Sequence, residues 1–130
     1  MQNKRKIEHF TDLTVWQKSH DLFLEVYRNV ERFPRTGGAR VIADQILRST
    51  SSISANIAEG FKSISTKQYV YFLDIAQRSA AETESWVYKM RDCQLTDKNK
   101  AGVWLNVCIE IEKMLYSLIK NLKAKVRASN

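Results

Sequence analysis

Residues 45–60 read Gln45-Ile46-Leu47-Arg48-Ser49-Thr50-Ser51-Ser52-Ile53-Ser54-Ala55-Asn56-Ile57-Ala58-Glu59-Gly60. The run Ser49 to Ser54 is rich in hydroxyl side chains and poor in helix propensity. Nevertheless Ile42, Ile46, Ile53 and Ile57, with Ser49 and Thr50 between them, keep the steps of three and four that mark one helical face. The spacing predicts a helix from about Ala39 to Gly60. Its small hydroxyl side chains let another helix approach closely, and Gly60, lacking a Cβ, suits a left-handed cap.

Outward from this stretch the same period recurs. Toward the N-terminus, Thr14 can cap a helix in which Trp16, His20, Phe23, Val26, Tyr27, Val30 and Phe33 share a face, and Pro34 ends it. Arg35-Thr36-Gly37-Gly38 reads as the turn that follows. Toward the C-terminus, Ser65 and Gln68 have the form of a capping box, and no Gly or Pro interrupts the chain from there to about Leu95. Tyr69, Phe72, Leu73, Ala76, Ala80, Thr83, Trp86, Val87 and Met90 line that third helix. Thr96 or Asp97 can cap a fourth, carrying Val103, Val107, Ile111, Met114, Leu115, Leu118, Leu122 and Val126. The expected organisation is a polar arm over 1–13, helices at about 14–33, 39–60, 65–95 and 97–126, and a tail over 127–130. Short connections between long helices imply an all-α, antiparallel up-and-down four-helix bundle.

Composition agrees. A chain of 130 residues with four Gly and one Pro, 44% hydrophobic and 27% charged, is sized for one domain and is neither low-complexity nor turn-rich all-β. No apolar run approaches the roughly 18 residues of a membrane span, and no signal-peptide core follows Met1-Gln2-Asn3-Lys4-Arg5-Lys6, so a cytoplasmic location is expected. Cys93 and Cys108 lack metal-site or redox spacing. In a helical hairpin turning near Thr96, Cys108 lies roughly 13 Å deeper than the partner of Cys93, too far for a disulfide, so two reduced, partly buried thiols are expected.

Two stretches, Tyr69-Val70-Tyr71-Phe72-Leu73 and Val103-Trp104-Leu105, carry large apolar side chains around more of the helix than two neighbours can cover. They read either as a subunit interface or as wide faces of a compact bundle. The net charge of +7 is also unevenly placed. Residues 114–130 contain Lys120, Lys123, Lys125 and Arg127 and no acidic residue, and Lys62 and Lys67 flank the second connection. Basic residues in the last turns favour the helix dipole, which is one reading. The other is a surface for phosphates, multiplied by the subunits of an oligomer. No aromatics are interleaved for stacking bases, so sequence-specific readout is not expected.

Chemical motifs are sparse. His9 and His20 lack the one-turn spacing of a helical metal pair, and there is no phosphate-cradling glycine loop and no GxSxG. No catalytic, cofactor or metal residues are therefore assigned, and a non-enzymatic protein is expected. Glu59 and Glu82 sit among small or apolar residues where a carboxylate needs a partner. A reversal near Ser63 sets Glu82 beside Gln45 and within a turn of Arg48, either as an interhelical ion pair or as two solvated side chains. The same reversal puts Asn56 opposite Tyr71, and Glu59 near Lys67 and Gln68.

Together Gln45-Ile46-Leu47-Arg48-Ser49, Ser52-Ile53 and Asn56-Ile57-Ala58-Glu59-Gly60 resemble the hallmark of the four-helix-bundle family encoded in 23S rRNA intervening sequences. Asp12 to Lys18 is similar to that family's opening, Phe33-Pro34 to its first turn, and Ala76, Ser79 and Glu82 to its third-helix pattern. Arg78 and Ala80 depart from it around Ser79. The likeness spans about residues 10–122. It implies a homopentameric ring and, more distantly, a similarity to the accessory variability protein of diversity-generating retroelements, a basic pentamer that works with nucleic acid. The expected function is thus non-enzymatic binding of RNA or DNA through phosphates. Candidate contacts are Arg48, Lys62, Lys67, Arg78, Arg91, Lys120, Lys123, Lys125 and Arg127. The alternative is a scaffold whose only ligand is another protein.

Overall fold

The computed structural model describes residues 6–129. Met1 to Arg5, including Lys4 and Arg5 of the expected arm, and Asn130 lie outside the described residues. A single 3-10 turn, Phe10–Asp12, precedes α1 (Thr14–Val30), α2 (Gly37–Phe61), α3 (Thr66–Asp92) and α4 (Lys98–Ser129), and no strand occurs among the described residues. Each helix packs on its sequence neighbour, α2 on α3 most extensively, and α1 and α4 meet more sparsely to close a four-helix bundle.

The helix ends follow local chemistry that composition only partly reveals. Leu13, not Thr14, precedes the first turn of α1, and it offers no side-chain cap. The last N–H groups of that segment turn back at Glu31 to Phe33, so α1 stops before Pro34 is reached. Thr36 caps α2 by accepting the Ala39 N–H at 3.2 Å. Gly37 and Gly38 therefore form its first turn and not the reversal itself. Ser65 caps α3 as expected, accepting the Gln68 N–H at 3.1 Å. That helix ends at Asp92, short of Leu95, because Gln94 adopts a left-handed φ of 60°. The Gln94 N–H donates to the Arg91 carbonyl and the Leu95 N–H to the Met90 carbonyl, the paired bonds of a Schellman closure usually built on Gly. Asp97 caps α4, its carboxylate accepting the Lys100 N–H at 2.7 Å. Rich in Lys, Arg, Ala and Leu, α4 continues to Ser129 through the segment expected to be a tail.

The core joins Leu22 and Val26 of α1, Ile46, Ile53 and Ile57 of α2, Leu73, Val87 and Met90 of α3, and Trp104, Cys108, Ile111 and Leu115 of α4. The α2 and α3 stripes point inward as read. The α1 face is rotated by one position: Val15, Ser19, Leu22, Val26 and Asn29 are buried, whereas Tyr27 is exposed. Sequence favours the Trp16/His20/Phe23 stripe because Ser19 and Asn29 look polar. Their polar atoms are satisfied internally, Ser19 Oγ donating to the Val15 carbonyl at 2.7 Å and Asn29 Nδ2 to the Leu95 carbonyl at 3.4 Å. In α4, likewise, Val103 is 56% exposed and Val126 is exposed, while Ala101, Trp104 and Cys108 turn inward. The cysteines are both free, Cys108 buried but Cys93 exposed. Burial, with the charges of Glu84 and Glu112, pushes the Cys108 thiol up to about 12.

The hydroxyl run works as a close-packing seam. Thr83 Oγ1 donates to Ser49 Oγ at 2.9 Å, and Ser52 and Ser79 share a hydrogen bond of 2.9 Å across α2 and α3. Gly60 extends that seam. It is helical and not left-handed, since no glycine has a positive φ. A Cβ there would lie 2.9 Å from Tyr69 Cδ1 and 3.0 Å from Phe72 Cβ. Gly60 is present because α3 passes over it, which corrects the cap expected from the sequence.

Candidate nucleic-acid interface

Antiparallel packing brings the start of α3 against the end of α4. Lys67 and Val70 of α3 and Lys123, Val126 and Arg127 of α4 line one cleft of about 310 Å³. No carboxylate lines it. Lys120, Lys123 and Arg127 are separated by three and four positions, so they share a face of α4; Lys125 stands off that face. Both valines supply an apolar floor missed at sequence level. Their signal was present, since Val70 and Val126 each lie three residues beyond a basic residue already singled out. An adjoining cleft of about 510 Å³ is lined by Phe10, Glu59, Lys62, Gln68 and Phe72, among others. Lys62 Nζ sits 5.9 Å from the Phe10 ring centroid.

The remaining candidates are placed differently. Arg48 pairs with Glu82 and donates to Gln45 Oε1 from Nε at 3.1 Å and Nη2 at 3.0 Å. Trp86 Nε1 donates to the same Glu82 oxygen at 3.1 Å. Of the two readings of this pair the structure takes the ion pair, and Trp86, one turn beyond Glu82, is a member that spacing could have revealed. Arg78 pairs with Asp74 at 2.6 Å. Arg91 pairs with Asp92 at 2.9 Å and lies over the Tyr88 ring. It is also near the other end of α3, about 36 Å from Lys67 at 1.5 Å per residue. The nine candidates thus do not form one surface: Lys62, Lys67, Lys120, Lys123, Lys125 and Arg127 belong to one end of the bundle, while Arg48, Arg78 and Arg91 are occupied by neighbouring acids.

The α2–α3 register is displaced by about one turn from the expected one. Asn56 therefore does not meet Tyr71; its Nδ2 donates back to the Ser52 carbonyl at 2.8 Å. Glu59 shares its cleft with Gln68, whereas Lys67 lines the cleft with α4. His9 Nδ1 bonds to Thr11 within the 3-10 turn, and His20 stacks on Trp16 at 4.8 Å. Among the described residues no group of three His, Cys, Asp or Glu side chains is arranged to hold a metal, and no helix is long and apolar enough to cross a membrane.

Replacing Arg48 and Glu82 by Ala, singly and together, should reveal a coupling of about 0.5–1 kcal/mol in denaturant unfolding. The size is modest because both side chains are more than a third exposed and solvent screens them. Single losses that simply add would refute the coupling.

Comparison with known proteins places these features in context. A family model described as 23S rRNA-intervening sequence protein matches residues 11–117. The crystal structure of a protein of unknown function from the S23 ribosomal protein family of Bacteroides thetaiotaomicron is similar at 30% sequence identity and a TM-score of 0.76, over 82% of this chain and 99% of that one. No curated protein matches.

Proposed function

The chain belongs to the 23S rRNA-intervening sequence protein family, and from that premise we propose that it is a non-enzymatic, ring-forming protein that holds RNA or DNA by its phosphates with little sequence preference. The observation that carries this reading is the cleft at the α3–α4 end, where Lys67, Lys123 and Arg127 converge with no acidic partner lining it. Such a surface attracts any polyanion, and its contacts multiply when several subunits present it together. Assembly as a homopentamer is supported by large apolar side chains that one bundle leaves uncovered: Tyr71 and Val103 from the stretches read in the sequence, with Ile109 and Tyr116 on α4. Those same side chains favour the second reading, a scaffold that binds another protein. A cytoplasmic site of action fits both.

Fluorescence anisotropy with labelled structured RNA and duplex DNA, at low and near-physiological salt, separates the two. Phosphate capture predicts affinity that falls with salt, with a log–log slope of roughly −0.7 to −0.9 per phosphate engaged. Replacing Lys120, Lys123, Lys125 and Arg127 by Gln should weaken binding at least tenfold and flatten that slope. Absence of binding at low salt would overturn the nucleic-acid reading and favour the scaffold.

A further inference from the structure

A second cationic cleft lies where the end of α1 meets the start of α4, on the opposite end of α4 from the surface just described. It has a volume of about 440 Å³ and is lined by Arg28, Arg32, Lys100, Glu25, Asn29 and Asn99, with Val103 and Trp104 as an apolar wall. We propose that this cleft binds a phosphate monoester carried on a nucleoside, either as a free nucleotide or as the terminal phosphate of a nucleic-acid strand.

Three observations support it. First, the side chains of Arg28, Arg32 and Lys100 make no ion pair among the described residues, whereas Arg48, Arg78 and Arg91 are each paired. Of the acids at the end of α1, Glu31 bonds to the Tyr27 hydroxyl, holding it above its usual range, and Glu25 lines the cleft itself. Second, Lys98 and Lys100 stand in the first turn of α4, where the one carboxylate, that of Asp97, is taken up in capping the Lys100 N–H at 2.7 Å. Asp97 answers the helix dipole, and a bound anion would offset the repulsion that remains among Arg28, Arg32 and Lys100. Third, the walls are held in place. Asn29 is buried and its amide ties the end of α1 to the Leu95 carbonyl, just ahead of α4.

Charge selects the ligand class. Three cations against Glu25 leave two positive charges, matching the charge of about −1.5 to −2 on a phosphate monoester at pH 7 better than the single charge of a diester. A cleft within the usual size of small-ligand sites has room for more than phosphate, and the Val103–Trp104 wall suits a flat organic ring.

The test titrates the full chain with adenosine 5′-monophosphate and adenosine, and with 5′-phosphorylated and 5′-hydroxyl forms of one short oligoribonucleotide. The monophosphate should bind at least tenfold more tightly than adenosine, and the Arg28→Gln/Arg32→Gln variant should lose that preference. Substitution of Lys123 and Arg127 by Gln should leave it intact, which separates this site from the basic end of the bundle. All of these cations are on the surface, and an unchanged thermal midpoint confirms that the variants are folded. A preference that extends to the phosphorylated strand identifies a strand end as a ligand; one confined to the monophosphate identifies the free nucleotide. Equal affinity with and without the phosphate, or a preference that survives Arg28→Gln/Arg32→Gln, would overturn the proposal.

Discussion

Gly60→Val is expected to destabilise the protein by about 3 kcal/mol, whereas Gly102→Ala should stabilise it by up to about 1 kcal/mol. Both glycines lie in helices, so intrinsic propensity treats them alike. Tertiary surroundings separate them. A Cβ at Gly60 would come 2.9 Å from Tyr69 Cδ1, 3.0 Å from Phe72 Cβ and 3.3 Å from the Tyr69 carbonyl oxygen. Tyr69 can swing, but Phe72 Cβ and the carbonyl move only with α3. The helices would have to part at the end of the seam that the Ser52–Ser79 and Ser49–Thr83 contacts hold together further along, and the second methyl of Val enlarges the clash. Gly60→Ala should fall between these limits, because its propensity gain of about 1 kcal/mol offsets part of the overpacking. Gly102 has no atom within 4 Å of its Cβ position. Denaturant unfolding of the three variants measures the contrast, and a wild-type midpoint for Gly60→Val would refute the close approach.

Glu112→Gln should raise stability by about 1–2 kcal/mol at pH 8 and change it little at pH 4. Glu112 projects from α4 into a groove of about 610 Å³ shared with Gln77 and Glu84 of α3 and with Lys113 and Tyr116 of its own helix. Gln77 Nε2 donates to the Glu112 backbone carbonyl at 3.3 Å, leaving the carboxylate without that donor. Glu112 Oε2 is buried without a hydrogen-bond partner. Burial, then the hydrogen bond and charge of Glu84, push the carboxyl up from 4.5 to about 7. A folded-state value above the unfolded one means that the native protein binds this proton more tightly. The corresponding stability is complete below about pH 4.5 and is lost as pH rises through about 7. The expected gain is held below the full shift because the groove is open to solvent on one side. Equal effects of Glu112→Gln at both pH values would refute this account.

Much of the architecture is legible because helical period survives unfavourable propensity. The α2 stripe through Ser49 and Thr50 and the α3 stripe from Leu73 to Met90 read directly as core, and Ser65 announces its cap. The α1 face is misread because two apolar stripes overlap there, and the buried one includes Ser19 and Asn29, whose hydrogen bonds are invisible in sequence. The end of α3 is misread because Gln94, not Gly, supplies the left-handed residue. In the candidate interface the C-terminal cations are visible as a charge run. Their convergence with Lys67 over Val70 and Val126 depends on how α3 passes α4.

Four helices, their order, the identity of the hydroxyl seam and the family can be read from the residues alone, because each is written in local spacing or in a contiguous motif. Which charges are spent and which are available follows instead from how the helices pack. Arg48, Arg78 and Arg91 resemble Lys67, Lys123 and Arg127 as cations, yet the first three meet carboxylates and the latter line a cleft without one. Arg28 and Lys100, too, are far apart in the chain and share a cleft. The physical reason is that helix period is set within a few residues, whereas pairing between charges on different helices depends on interhelical register. In this bundle a shift of about one turn changes which side chains meet.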